Sequence, residues 1–192
     1  MHVRCSVLVL ALNAALLTAQ SAGPWRIHDS PGELRSYIAR ADLMIAAMHD
    51  SVLQELADAF QSGGTDKALG SCHIDSLLMT QRIAREGARA GRTSDRLRNP
   101  TNAPRPWAAE LVKANAGRQA RDVDGFVVDL GKAVGVLRPI SERPMCATCH
   151  GPTESLSAGV RKEIAERYPT DRAVGFKEGE IRGWFWVEIP KK

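Results

Sequence analysis

The chain lacks several features that define familiar functional classes. After residue 21 it has no apolar run long enough to cross a bilayer, and it has no internal repeat or low-complexity tract. Its net charge is only +4 and is dispersed, which argues against nucleic-acid binding. No nucleophile with a base, and no pair of carboxylates, points to hydrolysis or group transfer. We therefore expect a single globular domain that is not an enzyme.

The first residues have the pattern of an export signal. Arg4 supplies a positive start, residues 5–17 are almost entirely apolar, and residues 19–21 are small or polar. This apolar stretch is too short to span a bilayer, so a cleaved signal peptide over 1–21 is expected rather than an anchor. The alternative is a buried N-terminal helix. The prediction is a periplasmic domain over 22–192, with no cysteine at the cleavage site to carry a lipid.

One pentapeptide indicates a cofactor. Cys146-Ala147-Thr148-Cys149-His150 has the Cys-x-x-Cys-His spacing of a c-type haem attachment site. In such sites the two thiols add to the haem vinyl groups and the histidine becomes the proximal iron ligand. We expect one covalent haem c. The alternative is a zinc site, which Cys72 would complete as a Cys3His set.

The cysteine count leaves one thiol to explain. The chain has four cysteines. Cys5 leaves with the signal peptide and two are used by the haem, so Cys72 is the odd one. It falls on the inward face of a predicted helix, where it is either a buried thiol, a partner in an intermolecular disulfide or a metal ligand. His73 is a rival axial ligand, since bis-histidine haem is common, and Met79 is a third option.

Hydrophobic periodicity predicts helices first and strands later, which defines an α+β domain. A long helix begins near Ser30, with Glu33 completing a capping box, and ends at Gly63-Gly64. The other predicted segments are a second helix from 65 toward 87, a turn-rich segment over 91–106, a short helix over 107–115, a hairpin of 125–130 and 133–140, a helix over 157–167 and a terminal strand within 179–190. The long first helix suits either a core position or a homodimer interface.

The turn-rich segment contains a group of arginines. Arg92, Arg96, Arg98 and Arg105 lie within it, and its prolines forbid a regular helix. Guanidinium groups form forked salt bridges with carboxylates, so these side chains suit the haem propionates. We take Arg92 and Arg98 as candidate cofactor-binding residues. The alternative is a solvated loop.

Four blocks of the sequence resemble a known family. They are GSCH at 70–73, RTSDRLRNPTNAP at 92–104, PMCATCHG at 144–151 and YPTDRAVGFKEGEIRG at 168–183. Together they are similar to the PAS-like c-type haem domains that occur in periplasmic sensor regions of bacterial signalling proteins and in a cyanobacterial cytochrome. The blocks span nearly all of the chain after residue 21.

The resemblance implies a fold and a ligand set. The fold is long N-terminal helices followed by a PAS-like antiparallel sheet with covalent haem. The implied ligands are His150 on one side of the iron and Cys72 on the other. A thiolate ligand lowers the reduction potential, and its release would open a site for CO or NO. We therefore expect a redox or gas sensor acting through a protein partner. The alternative is a soluble electron-transfer cytochrome.

Overall fold

The computed structural model describes residues 22–71 and 87–192. These residues form a long helix, three shorter helices and a five-stranded sheet. The helices are α1 (Arg35–Ser71), α2 (Ala109–Ala114), α3 (Pro144–His150) and α4 (Ala158–Arg167), and the strands are β1 (Ala22–Arg26), β2 (Arg89–Thr93), β3 (Phe126–Asp129), β4 (Ala133–Ser141) and β5 (Ile181–Pro190). The predicted α+β class is confirmed.

The sheet is antiparallel and has the strand order β1-β3-β4-β5-β2. The predicted hairpin is confirmed as β3 and β4, and the predicted aromatic terminal strand as β5. Side chains alternate between the two faces, as a strand requires. Val136 and Val187 pack on the face toward α1, whereas Leu137 and Trp184 pack on the opposite face, where α2 lies. The two longest strands thus form the centre of the molecule.

Helix α1 covers one face of the sheet. Leu34, Ile38, Ala41, Ile45 and Met48 recur every three or four residues and are all buried. This spacing places them on one side of the helix, and they share an apolar cluster with strands β4 and β5. Along this stretch the first helix therefore occupies a core position.

The predicted start of this helix was wrong by one turn. The Ser30 hydroxyl donates to the Ile27 carbonyl at 2.7 Å instead of capping the helix, and a 3-10 turn, Gly32–Leu34, comes before Arg35. The expected capping box is therefore not formed, because Ser30 closes the preceding turn.

The glycine pair separates two helical segments within α1, as predicted. Gly63 has φ −168° and Gly64 has φ 63°, both non-helical, and helical backbone resumes beyond them as far as Ser71. A positive φ is readily adopted by glycine, so a sharp change of direction is tolerated at this point. The first residues of the predicted second helix, 65–71, form the last part of α1. The remaining residues of that prediction, 72–86, lie outside the described residues.

Two edge strands were not predicted. Strand β1 pairs with β3, and β2 occupies the start of the segment expected to be turn-rich. Gly91 in β2 lies beneath the ring of Trp186, where an added Cβ would lie 2.7 Å from a ring atom. The strand is held by its pairing with β5, by this cross-strand contact and by Ala90, which is buried in the apolar cluster beneath α1. Within the segment expected to be turn-rich, a 3-10 turn forms at Pro100–Asn102, and the Asn99 side chain accepts from the Thr101 amide at 3.0 Å.

A third apolar cluster joins the end of α1 to the cysteine motif. Leu69, Cys149, Val160 and Ile164 are buried together there, which brings α1, α3 and α4 into contact. This cluster places one end of the long helix beside the candidate cofactor site. Within the described ranges, no helix combines the length and the apolar character needed to span a membrane.

Candidate functional site

Helix α3 presents the motif residues on one face. Cys146, Cys149 and His150 have i, i+3 and i+4 spacing, so their side chains share one side of the helix. Cys149 is buried and Cys146 is half-buried, and the two thiols are not joined to each other in a disulfide. Pro144 begins the helix, where its missing N–H is no loss. The local fold therefore holds both thiols and the imidazole ready to act on one ligand.

The imidazole of His150 is held in one tautomer. Its Nδ1 lies 2.7 Å from the Ala173 carbonyl oxygen. A carbonyl only accepts hydrogen bonds, so Nδ1 carries the hydrogen and Nε2 keeps its lone pair. The Phe176 ring lies edge-on, with centroids 6.5 Å apart, and the Phe176 amide donates to the His150 carbonyl at 3.1 Å. The segment 173–176 thus orients the ring for ligation through Nε2.

The electrostatics of the site keep this histidine neutral. Burial lowers the pKa of His150 well below its usual value, and the guanidinium groups of Arg182, Arg98 and Arg92 lower it further. The hydrogen bond to the Ala173 carbonyl opposes these effects but does not outweigh them. The imidazole is therefore unprotonated at neutral pH, which is the state that binds a metal.

A cationic cleft opens beside His150. It lies between the end of β2, the loop after it and the start of β5, and its volume is about 80 Å³. Among the described lining residues no carboxylate is present, whereas Arg92, Arg98 and Arg182 all line it. The cleft suits an anionic ligand.

Arg98 braces the motif from beneath. Its side chain is 7% exposed and its Nε donates to Asp171 Oδ1 at 3.0 Å. Its Nη2 donates to the Cys149 carbonyl at 2.7 Å and to the Ala173 carbonyl at 3.3 Å. One guanidinium therefore ties the C-terminal end of α3 to the segment that orients His150. Its Nη1 is buried and makes no hydrogen bond within the described part of the chain.

The other predicted arginines have separate positions. Arg96 forms an ion pair with Glu180 and stacks on Phe176 with its guanidinium carbon 3.5 Å from the ring centroid. Arg105 donates from Nε to Glu188 at 2.8 Å, toward the far end of β5. Arg92 lines the cleft. The structure thus brings Arg92, Arg96 and Arg98 to the cleft, whereas Arg105 forms an ion pair with Glu188 elsewhere.

Sequence reasoning missed the role of Arg182. Strand pairing shifts between Ile140 opposite Gly183 and Ser141 opposite Ile181, so Arg182 is the extra residue of a β-bulge. Bulges often redirect a side chain next to a functional site, and here Arg182 lines the cleft. Its Nε lies 3.3 Å from Oε2 of Glu142, whose side chain is fully buried. A β-bulge has no local sequence pattern, so the pairing of Arg182 with Glu142 could not be predicted from the sequence.

The predicted distal ligand is not described. Cys72, its rival His73 and Met79 lie within 72–86, outside the described residues. Leu69, three positions before Cys72, is fully buried in the cluster that contains Cys149. The Tyr168 hydroxyl donates to the Leu69 carbonyl at 3.2 Å and fixes this end of α1.

The match to a protein family identifies the chain. The model of the Tll0287-like family matches residues 30–190, from the 3-10 turn before α1 to the end of β5. The chain belongs to the Tll0287-like family. The predicted family resemblance is confirmed.

Among solved structures, this Tll0287-like chain is similar to one titled "Crystal structure of the cyanobacterial heme-protein Tll0287". The two are 24% identical with a TM-score of 0.52, and the match covers 85% of this chain and 98% of that one. This likeness shows a shared fold. No curated protein matches the chain significantly.

Proposed function

We propose that this member of the Tll0287-like family is an exported haem c protein that senses redox state or a diatomic gas. One observation carries the haem assignment. His150 is neutral, its Nδ1 is occupied by the Ala173 carbonyl, and it shares a helix face with Cys146 and Cys149. This is the arrangement that a proximal ligand beside two thioether attachments requires.

The cleft fits haem better than a bare metal ion. The four guanidinium groups that line the cleft repel a dication, whereas they attract the two propionates of a haem. Two buried donors, Arg98 Nη1 and Thr93 Oγ1, line the cleft and make no hydrogen bond among the described residues. Propionate oxygens would satisfy both. The related solved structure is described by its title as a heme-protein, which supports the same assignment.

Each residue then has a defined task. The thiols of Cys146 and Cys149 hold the group covalently, and His150 Nε2 ligates from one side. Ala173 fixes the imidazole tautomer, and Arg98 holds α3 against the segment that contains Ala173. Bound haem supplies an iron that exchanges one electron and accepts axial ligands.

We assign the second axial position to Cys72. The preceding helix end is anchored by Leu69 in the same apolar cluster as Cys149. Cys72 directly follows Ser71, the last described residue of this helix. A thiolate there would complete the site and leave no open coordination position, which disfavours an enzyme. His73 is the rival for the same position.

A sensor is favoured because α1 links this ligand to the rest of the fold. The helix packs against β4 and β5 along its first half and ends at the cluster with Cys149. A change of ligand at Cys72 would therefore act on the longest element of the molecule and on any partner protein bound to it. CO or NO would bind where Cys72 leaves the iron.

An electron carrier is the second candidate. Met145 is 43% exposed and directly precedes Cys146, so one apolar side chain beside the attachment site is accessible to a redox partner. Slow, ligand-changing reduction at low potential supports the sensor, whereas fast exchange without a ligand change supports the carrier.

The haem assignment is tested by expression of the full chain with c-type maturation factors. Haem that stays bound on a denaturing gel is the expected result. The double variant Cys146→Ser, Cys149→Ser should lose it, and Cys5→Ser serves as the matched control and should retain it. A colourless wild-type protein, or one that retains zinc instead, contradicts the assignment.

The distal ligand is tested by absorption spectra of the oxidised protein. Cys72→Ala should remove the thiolate-to-iron charge-transfer band, whereas His73→Ala should keep it. The opposite result would assign the position to His73. Periplasmic location is checked separately by fractionation and by the mass of the mature chain, which should begin near residue 22.

A further inference from the structure

The carboxyl group of Glu142 is buried in an unusual setting. Its side chain is fully buried, and neither carboxylate oxygen makes a hydrogen bond within the described residues. The backbone is fixed on both sides, since its amide donates to Glu180 at 2.8 Å and its carbonyl accepts from Gly179 at 2.9 Å. The backbone that carries this buried carboxyl group is therefore held in place just after the end of β4. A group held in this way is expensive to keep charged.

Its one ion-pair partner is a cleft residue. Arg182 Nε lies 3.3 Å from Glu142 Oε2, and Arg182 lines the cleft that also contains His150. The guanidinium thus stands between the buried carboxylate and the proposed haem site. Any charge that enters the cleft acts on Arg182 first, and through it on Glu142.

The other charges around Glu142 are nearly balanced. Arg182 faces it from β5, Glu180 from the turn before β5, and Arg96 and Arg98 from the loop after β2. Glu180 is itself engaged by Arg96, and Arg98 by Asp171. Burial raises the pKa of Glu142 to about 7, with Glu180 adding to the increase and the arginines opposing it. A small change of local charge is thus enough to change its protonation.

We propose that Glu142 is the proton acceptor coupled to reduction at the haem site. The proposal rests on the haem assignment made above. When a one-electron donor converts ferric iron to ferrous, the cleft gains one negative charge. The Glu142 carboxylate then takes one proton from water, so that the buried region gains no net charge. Oxidation returns the electron to an acceptor and the proton to water.

The test is the midpoint potential of the haem-loaded full chain between pH 6 and pH 9. Above pH 7 the equilibrium constant for reduction of the wild type should fall tenfold per pH unit. This corresponds to a midpoint potential lower by about 59 mV for one electron. Glu142→Gln should abolish this slope, because an amide cannot take up the proton. Glu154→Gln removes an exposed carboxylate just after the motif, and it should keep the wild-type slope.

Infrared difference spectra give a second readout that needs no variant to fold. Reduction of the wild type at pH 8 should produce the carbonyl band of a newly protonated carboxyl group. A wild type without this band, or a Glu142→Gln protein with an unchanged slope, overturns the proposal while the haem assignment stands. A chain that retains no haem overturns both.

Discussion

At the scale of single residues, the site depends on groups that hold His150 more than on the motif itself. Arg98 joins the Cys149 carbonyl, the Ala173 carbonyl and Asp171 in one buried guanidinium. Buried charges without partners are strongly unfavourable, so the ion pair with Asp171 is needed for this brace to form at all. The position of His150 is therefore set by a residue 52 positions away in the sequence.

Substitution of Arg98 should cost far more stability than substitution of a surface arginine. Arg98→Leu leaves the buried Asp171 carboxylate unpaired, and we expect a loss of about 3 kcal/mol or more in unfolding free energy. Arg167 forms an ion pair with Glu163 on the exposed side of α4, and Arg167→Leu should cost about 0.5 kcal/mol at most. Urea unfolding at pH 7 measures both. Equal costs for the two variants would argue against the brace.

The buried carboxyl of Glu142 should make stability depend on pH. Its folded pKa of about 7 is raised from 4.5, so its contribution is fully present below pH 4.5 and is lost as the pH rises through 7. Glu142→Gln resembles the protonated acid. The unfolding free energy of the variant minus that of the wild type should be about 2 kcal/mol larger at pH 8 than at pH 5. Urea unfolding at the two pH values measures this change. A difference independent of pH would show that Glu142 titrates normally.

At the scale of elements, strand β5 builds both the core and the cleft. Trp184 is buried in one apolar cluster and Val187 in the other, so the strand holds both faces of the sheet. The bulge at Arg182 interrupts this alternation where β4 ends. Within two residues, β5 therefore passes from Arg182, which lines the cleft, to Trp184, which is buried in the core.

Gly183 allows β2 to approach β5 at this point. An added Cβ would lie 2.7 Å from the Thr93 carbonyl oxygen, which is a backbone atom that cannot rotate away. We expect Gly183→Ala to cost about 1 to 3 kcal/mol and to displace Thr93 from the cleft wall. Gly159→Ala is the control, since its Cβ would meet only Ser157 Oγ at 4.0 Å in helix α4. That change should stabilise by up to about 1 kcal/mol, and thermal unfolding distinguishes the two signs.

The sequence predicts what depends on local pattern and misses what depends on register. The inward face of α1, the β3–β4 hairpin and the aromatic strand follow from periodicity, and the motif residues follow from spacing. Strand β2 was missed because its own sequence is short and polar, and it is held by pairing with β5, where Trp186 lies over Gly91. The pairing of Glu142 with Arg182 depends on a one-residue shift between two strands, which no single segment encodes.

At the scale of the whole molecule, α1 connects the sheet to the cysteine motif. Its first half packs on β4 and β5, and beyond the glycine kink its last turns are held by Leu69 and by the Tyr168 hydroxyl. The two non-helical glycines separate this anchored end from the half that packs on the sheet. In the proposed sensor, release of Cys72 would loosen the segment beyond the glycines, whereas in an electron carrier that segment would stay unchanged.

Hydrogen exchange can therefore separate the two functions. If reduction releases the proposed Cys72 ligand, amides over 65–71 should exchange about tenfold faster in the reduced protein, which corresponds to about 1.4 kcal/mol of lost local stability. Amides shared by β4 and β5 should not change and serve as the internal reference. Cys72→Ala should exchange rapidly in both redox states. Equal protection of 65–71 in oxidised and reduced wild type would instead identify an electron carrier, because fast electron exchange requires a structure that does not rearrange.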